Sequence, residues 1–239
     1  MVTVYKRELA GFFHTSMGYV FLGVFMALSG LIFYVGNLRP LSGDLLGFLS
    51  QLTLLLMLLC PLLTMRLICE ERQKRTDQLL LTSPVSLTAI VLGKYGAAAT
   101  VLLASVLLTH VYVLIIGVYG TLYLGEWFVG YLGFILQGLS FLALDMLVTC
   151  FAKNQLSAAM AAFAANFMLW LLDVLAQYVP VGLPADALRF ISLYGRYEPF
   201  ILGQLSYASI LFFITFIVAS LVATIHVMDA RRFSQGGAA

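Results

Sequence analysis

ICEERQKRTDQLLLTSPVS, residues 68–86, decides how this chain is arranged. Glu70, Glu71, Arg72, Lys74, Arg75 and Asp77 crowd together in a sequence that is 62% apolar and only 10% charged, where a soluble chain keeps about a quarter of its residues charged. The mean hydropathy of +1.01 belongs to a membrane protein, so this charge must sit where the chain leaves the bilayer. Long apolar runs flank it on both sides.

Crossing a hydrocarbon core of roughly 30 Å takes about 20 apolar residues in helix, because each backbone amide must find its partner within the segment. Six stretches reach that length: Met17–Gly36, Phe48–Ile68, Gly96–Gly117, Phe128–Cys150, Leu156–Tyr178 and Ala208–Met228. The fold class expected is therefore an all-α membrane protein of six transmembrane helices. The third boundary is the softest, since apolar residues continue through Val118 to Leu124. No small-residue cleavage site follows the N-terminus at the expected distance, so no cleaved signal peptide is expected.

Positive residues are retained on the cytoplasmic side. With both termini inside, the cytoplasmic segments hold Lys6, Arg7, Arg66, Arg72, Lys74, Arg75, Lys94, Lys153, Arg231 and Arg232, and only Arg39, Arg189 and Arg196 lie outside. The charged block is then cytoplasmic, between the second and third spans. Net charge of +2 carries no message about nucleic acid, its cations being accounted for by topology. Localisation to the cytoplasmic membrane of a bacterial cell, as a multi-pass protein, is the expectation.

No linker divides the chain, and residues 1–239 read as one transmembrane domain with three special segments: 1–16, 69–94 and 179–207. Over the first, Val2, Tyr5, Leu9, Phe12 and Phe13 fall on one helical stripe, with Val4 off it and Arg7 and Glu8 pointing elsewhere. This predicts an amphipathic helix in the inner interface; an untidy lead-in to the first span is the alternative. Over 179–207, Leu183, Leu188, Phe190, Ile191, Phe200, Ile201 and Leu205 suit short helices broken by Pro184 and Pro199. Either these dip into the outer leaflet as re-entrant helices, or the loop lies on the surface.

In the fifth span Ser157, Ala161 and Ala165 recur every four positions, a packing face rather than a substrate site. Tyr112, Tyr119, Tyr123, Trp127 and Tyr131 read as an interfacial aromatic belt. Cys60, Cys69 and Cys150 are odd in number and lie in or at helix ends, which argues for small apolar packing residues over disulfides or zinc ligands.

Catalytic motifs are missing. Gly93-Lys94 is followed by Tyr95 and lacks the preceding Gly of a P-loop, and there is no H-E-x-x-H or G-x-S-x-G. No enzyme activity, cofactor or metal is expected in this chain. Asp145 and Asp173 lie within predicted spans, where an acid is costly unless hydrated or paired. Each is either a member of a proton relay or a structural acid facing the bundle from near a helix end. His110 pairs with one of them or donates to a backbone carbonyl. Without a charged cavity signature, the spans disfavour small ions as substrates.

The block ends in apolar teeth. Leu79, Leu80 and Leu81 follow Thr76, a suitable N-cap, and Asp77, an acid favourable in a first turn, while Ser83, Pro84 and Ser86 stop the helix. A short helix of this kind docks in a partner's groove through its leucines, with charge at the rim. A plain loop carrying positive-inside charge is the bland reading of the same residues.

The run MRLICEERQKRTDQLLLTSPVSLTAIVLGK, residues 65–94, resembles the signature of ABC-2-type transporter permeases. Met65, Arg66, Glu70, Glu71, Thr76, Leu79, Leu80, Pro84, Val85, Ser86, Gly93 and Lys94 match it, with Arg75 where the family commonly has Gly. KRELAGFFHTSMGYVFLGVFMALSGLIFY (6–34) and SLYGRYEPFILGQLSYASILFF (192–213) are similar to the gliding-motility-type branch of that family. The resemblance implies a permease subunit of an ABC transporter, usually an exporter of lipids, glycans, peptides or drugs. It makes residues 70–86 the coupling helix, with Glu70, Glu71, Arg72, Lys74, Arg75, Thr76, Asp77, Leu79, Leu80 and Pro84 facing a separate ATP-binding subunit that holds ATP and Mg. It implies a second permease copy or homologue, forming a dimer, and in this branch a membrane-anchored extracytoplasmic subunit as a further partner. Two other function classes stay open: a proton-coupled secondary transporter using Asp145 and Asp173, and a non-transporting membrane anchor.

Overall fold

The computed structural model describes residues 1–73, 86–119, 121, 123–178 and 192–236, and among these the chain is helical with no strand. Helix α1 (Val2–His14) precedes α2 (Met17–Phe33), which runs on as a π-helical turn over Tyr34–Leu38. Then come α3 (Leu45–Gln73), α4 (Leu87–Leu108), α5 (His110–Tyr119), α6 (Leu124–Thr149), α7 (Gln155–Tyr178), α8 (Leu193–Ile201) and α9 (Tyr207–Gly236).

Six of the segments are long and apolar enough to cross a membrane: Met17–Leu38, Leu45–Cys69, Leu87–Tyr119, Leu124–Thr149, Gln155–Ala176 and Tyr207–Ala230. They coincide with the six expected stretches. The third begins nine residues earlier than expected, at Leu87 instead of Gly96, because the Lys94 charge is matched inside the fold and does not force the helix to end. It is also interrupted at Thr109, where α4 gives way to α5.

α3 and α6 form the centre. Within their spans 72% and 61% of the most apolar window is buried, against 28% for the first and last spans and 17% for the fifth, so α2, α7 and α9 are peripheral. Small residues allow the close approach: a Cβ on Gly138 of α6 would lie 3.2 Å from both Leu102 on α4 and Leu56 on α3. α7 packs on α3 through Ala158, Ala162 and Asn166, all fully buried. That stripe is displaced by one residue from the expected Ser157, Ala161 and Ala165, which are only half-buried.

The displacement has a cause in α3. Pro61 has no N–H, so the carbonyl of Met57, four residues earlier, loses its helical donor. Asn166 Nδ2 supplies one from α7 at 3.5 Å. Thr64 Oγ1 in turn donates to the Pro61 carbonyl at 3.2 Å. Neighbouring side chains thus make a proline tolerable in the middle of a span.

Between α7 and α9, the described part of the expected 179–207 segment contains α8. Ser192 caps it, its hydroxyl accepting from Gly195 N at 2.8 Å. Pro199 lies inside the last turn instead of ending the helix. Phe200 is buried against Gly133, where a Cβ would come within 2.4 Å of the ring, and Tyr194 lies 6.0 Å from the ring of Phe141. Leu205 is not covered by other parts of the chain. Pro184, Leu183, Leu188, Phe190 and Ile191 lie outside the described residues.

Candidate functional site

The charged segment is flanked by two helix ends. α3 does not stop at the end of its apolar span but carries Glu70, Glu71 and Arg72 as further helical residues to Gln73. α4 starts after Ser86, whose hydroxyl accepts from Ala89 N at 3.3 Å as an N-cap. Lys74, Arg75, Thr76, Asp77, Leu79, Leu80 and Pro84 lie outside the described residues.

Both flanks are tied to α1. Lys94, with only 1% of its side chain exposed, donates to Glu8 Oε1 at 3.1 Å and to the Leu67 carbonyl of α3 at 2.6 Å. An ammonium taken this far out of water needs a countercharge and oxygen acceptors, and here it has them. Arg66 donates to the Gly11 carbonyl at 2.9 Å and to Thr15 Oγ1, so a cation covers the C-terminal carbonyls of α1, where its dipole is negative. The same guanidinium stands 5.9 Å from the Phe12 ring. Tyr5 donates its hydroxyl to Thr100 Oγ1 of α4 at 3.0 Å, Thr100 spending its own proton on the Gly96 carbonyl.

These contacts widen the expected face of α1, of which Tyr5, Leu9, Phe12 and Phe13 pack against the core. Val2 is exposed, whereas Val4 is buried against Gly93, and Glu8 is on the packed side with Phe12. Val4 and Glu8 thus join the packed side, Glu8 because the surface opposite contains Lys94. Arg7 is exposed, as expected, and bonds Glu8 at 2.8 Å.

The three intramembrane candidates do not come together. Asp173 Oδ1 accepts from the Ser192 hydroxyl, next to the N-terminus of α8, where a helix dipole favours an anion. This contact links α7 to the start of α8. His110 Nδ1 is 3.2 Å from the Val106 carbonyl, and its ring packs 4.3 Å from Tyr131 and 5.8 Å from Trp127. Asp145 is fully buried in α6, with no hydrogen bond to either oxygen.

Two members of the expected aromatic belt are inside the bundle. Tyr112 donates to the Met26 carbonyl at 3.2 Å beside Ser29, and Tyr131 donates to Thr109 at 3.0 Å. Tyr119 and Tyr123 are exposed and suit the belt. On α8, burial pushes the phenols of Tyr194 and Tyr197 above the usual tyrosine range, and for Tyr194 the nearby Asp173 charge adds to it.

Open clefts line the surface. One, of about 430 Å³, lies between Phe33, Asn37 and Ile116 where α2 meets α5; another, of about 510 Å³, runs along Leu211, Phe212 and Thr215 of α9 below Arg196. Both are mainly apolar. Among the described residues no cluster of His, Cys, Asp or Glu could hold a metal ion.

Sequence reasoning missed Glu8 as the partner of Lys94 and Asn166 as the donor to Met57. The signal for the second was present: a proline inside an apolar span demands a donor from elsewhere, and Asn166 closes the small-residue run SAAMAAFAAN.

A family model described as ABC-2 family transporter protein matches residues 41–225. No curated protein matches the chain at significant similarity.

Proposed function

Because the chain belongs to the ABC-2 family of transporter proteins, over a match that takes in the second to fifth of its six apolar helices and most of the sixth, we propose that it is the transmembrane permease subunit of an ABC exporter, driven through residues 70–86 by a separate ATP-binding subunit. As a multi-pass membrane protein with the motif-free interior described above, it has no P-loop of its own, so ATP and Mg belong to that partner.

The observation that carries this reading is the tie between Lys94, Glu8 and Leu67. It joins α1, the end of α3 and the start of α4 into one unit on either side of the charged segment. A push on residues 70–86 therefore reaches both the second and third spans at once. ATPase states that contact the segment differently would shift the permease between inward- and outward-facing forms. The gliding-motility-type branch, with a membrane-anchored extracytoplasmic subunit and a second permease copy, is the finer assignment that residues 6–34 and 192–213 support.

Replacing Leu79→Asp together with Leu80→Asp tests the docking. The double variant inserts in the membrane but no longer co-purifies with the ATP-binding subunit; unchanged co-purification sinks the proposal.

A further inference from the structure

Asp145 presents a problem of hydrogen-bond chemistry. Both of its carboxyl oxygens are buried and neither accepts a hydrogen bond. The hydroxyls nearest along α6 are committed elsewhere: Thr149 donates to the Met146 carbonyl at 2.9 Å and Ser140 to the Leu136 carbonyl at 2.8 Å. The side chain placed to hydrogen-bond it is Asn166 on α7, and Cys60 on α3 lies within electrostatic reach. The Asn166 amide has its own constraint, since Nδ2 serves the Met57 carbonyl, and its Oδ1 is a buried acceptor with no donor.

Among the described residues no cation bonds Asp145. The helices packed around α6 carry Cys60 and Arg66 on α3, Tyr95 on α4, Asp173 on α7 and Tyr194, Arg196, Tyr197 and Glu198 on α8; Arg66 serves Gly11 and Thr15, and Arg196 stands over the Phe212 ring. Tyr95 donates to the Leu139 carbonyl at 3.1 Å, and Asp173 is held by Ser192. The buried Lys94 of α4 is engaged by Glu8 and Leu67. On α9, His226 is exposed and Asp229 only half-buried. A bare carboxylate in such a place is far too costly to persist, and such a group neutralises instead.

We propose that Asp145 is a proton-binding site: the folded bundle holds it as a neutral carboxylic acid whose O–H donates to Asn166 Oδ1, joining α6 through Asn166 to the Met57 carbonyl that Pro61 leaves open on α3. One proton supplies the donor that the cluster lacks. The step is simple binding: a proton comes from water as the chain folds, and no other bond changes. The assignment gives Asp145 a part in holding α3, α6 and α7 together, independent of any relay and of how the chain is powered.

The sign of the pH effect follows. Folding takes up a proton that the unfolded carboxylate does not hold at neutral pH, so the native state binds more protons and stability falls as pH rises. Asp145→Asn has the shape of the neutral acid and needs no proton. In the full chain, purified in detergent micelles, that variant therefore melts at the same temperature as the wild type at acidic pH and at a higher one at neutral pH. Infrared spectra of the wild type at neutral pH show a carboxylic-acid C=O stretch that disappears in Asp145→Asn and shifts in Asp145→Glu. An Asn variant that fails to fold or melts lower at neutral pH overturns the proposal, as does absence of the acid stretch. A wild-type melting temperature raised by sodium or potassium over choline, and insensitive to those ions in Asp145→Asn, assigns the site to a cation instead.

Discussion

Lys94 shows how a single residue is read differently by sequence and by fold. In the sequence it counts as one positive charge at the inner end of a span and as part of a family signature. In the fold it is buried, and its ammonium holds a carboxylate from α1 and a carbonyl from α3. Hydrogen bonds to charged groups are worth about 1.5–3 kcal/mol, and removing one partner of a buried pair costs more than replacing both with apolar residues. Glu8→Leu is therefore expected to destabilise the chain by about 2 kcal/mol, and Glu8→Leu with Lys94→Met by less than the sum of the two single changes. Thermal unfolding of the four proteins in detergent measures the coupling. Glu8 is not legible in the sequence because its partner surface contains a cation, which an apolar stripe does not reveal. Asp145 and Asp173 were legible as exceptional residues, but which one is capped and which one bare depends on Ser192, a contact between residues far apart in the chain.

Among the elements, all six spans are legible in the sequence, most ends to within a few residues and the start of the third only to within nine, since the length of an apolar helix is dictated by the thickness of the bilayer. What escaped was their internal articulation. Pro61 in α3 is satisfied by a donor on α7, and at the break Thr109 donates to the Val106 carbonyl of its own helix while accepting from Tyr131 of α6; periodicity contains no trace of these contacts. Asn166→Leu leaves the Met57 carbonyl without its donor and is expected to cost roughly 1–3 kcal/mol. Pro61→Ala, added to it, restores a backbone N–H within α3 and recovers the part of that loss that belongs to Met57. If the second substitution gives no recovery in melting temperature, Asn166 acts on α7 packing and not on the proline.

For the whole molecule, the question is which end of the bundle meets the cytoplasm, and the positive-inside rule makes the end carrying residues 70–86 the expected one. The native cysteines Cys60, Cys69 and Cys150 are all buried and give a low background to an impermeant maleimide. Exposed positions at opposite ends serve as reporters. Arg39→Cys is expected to react in intact cells, and Ser86→Cys only after the membrane is opened. The reverse pattern turns the 70–86 segment away from ATP and removes the basis for coupling.

α3 is 29 residues long, or about 43 Å at the helical rise, so it is longer than the roughly 30 Å core it crosses. Its proline divides it unequally, with twelve residues, or about 18 Å, between Pro61 and the tip at Gln73. With Pro61 as fulcrum, a swing of about 10° sweeps that tip by about 3 Å while the far arm stays wedged against α6. Displacement on the scale of a single side chain at the Gln73 tip thus needs no change in the length of any helix, only a small angle at one ring.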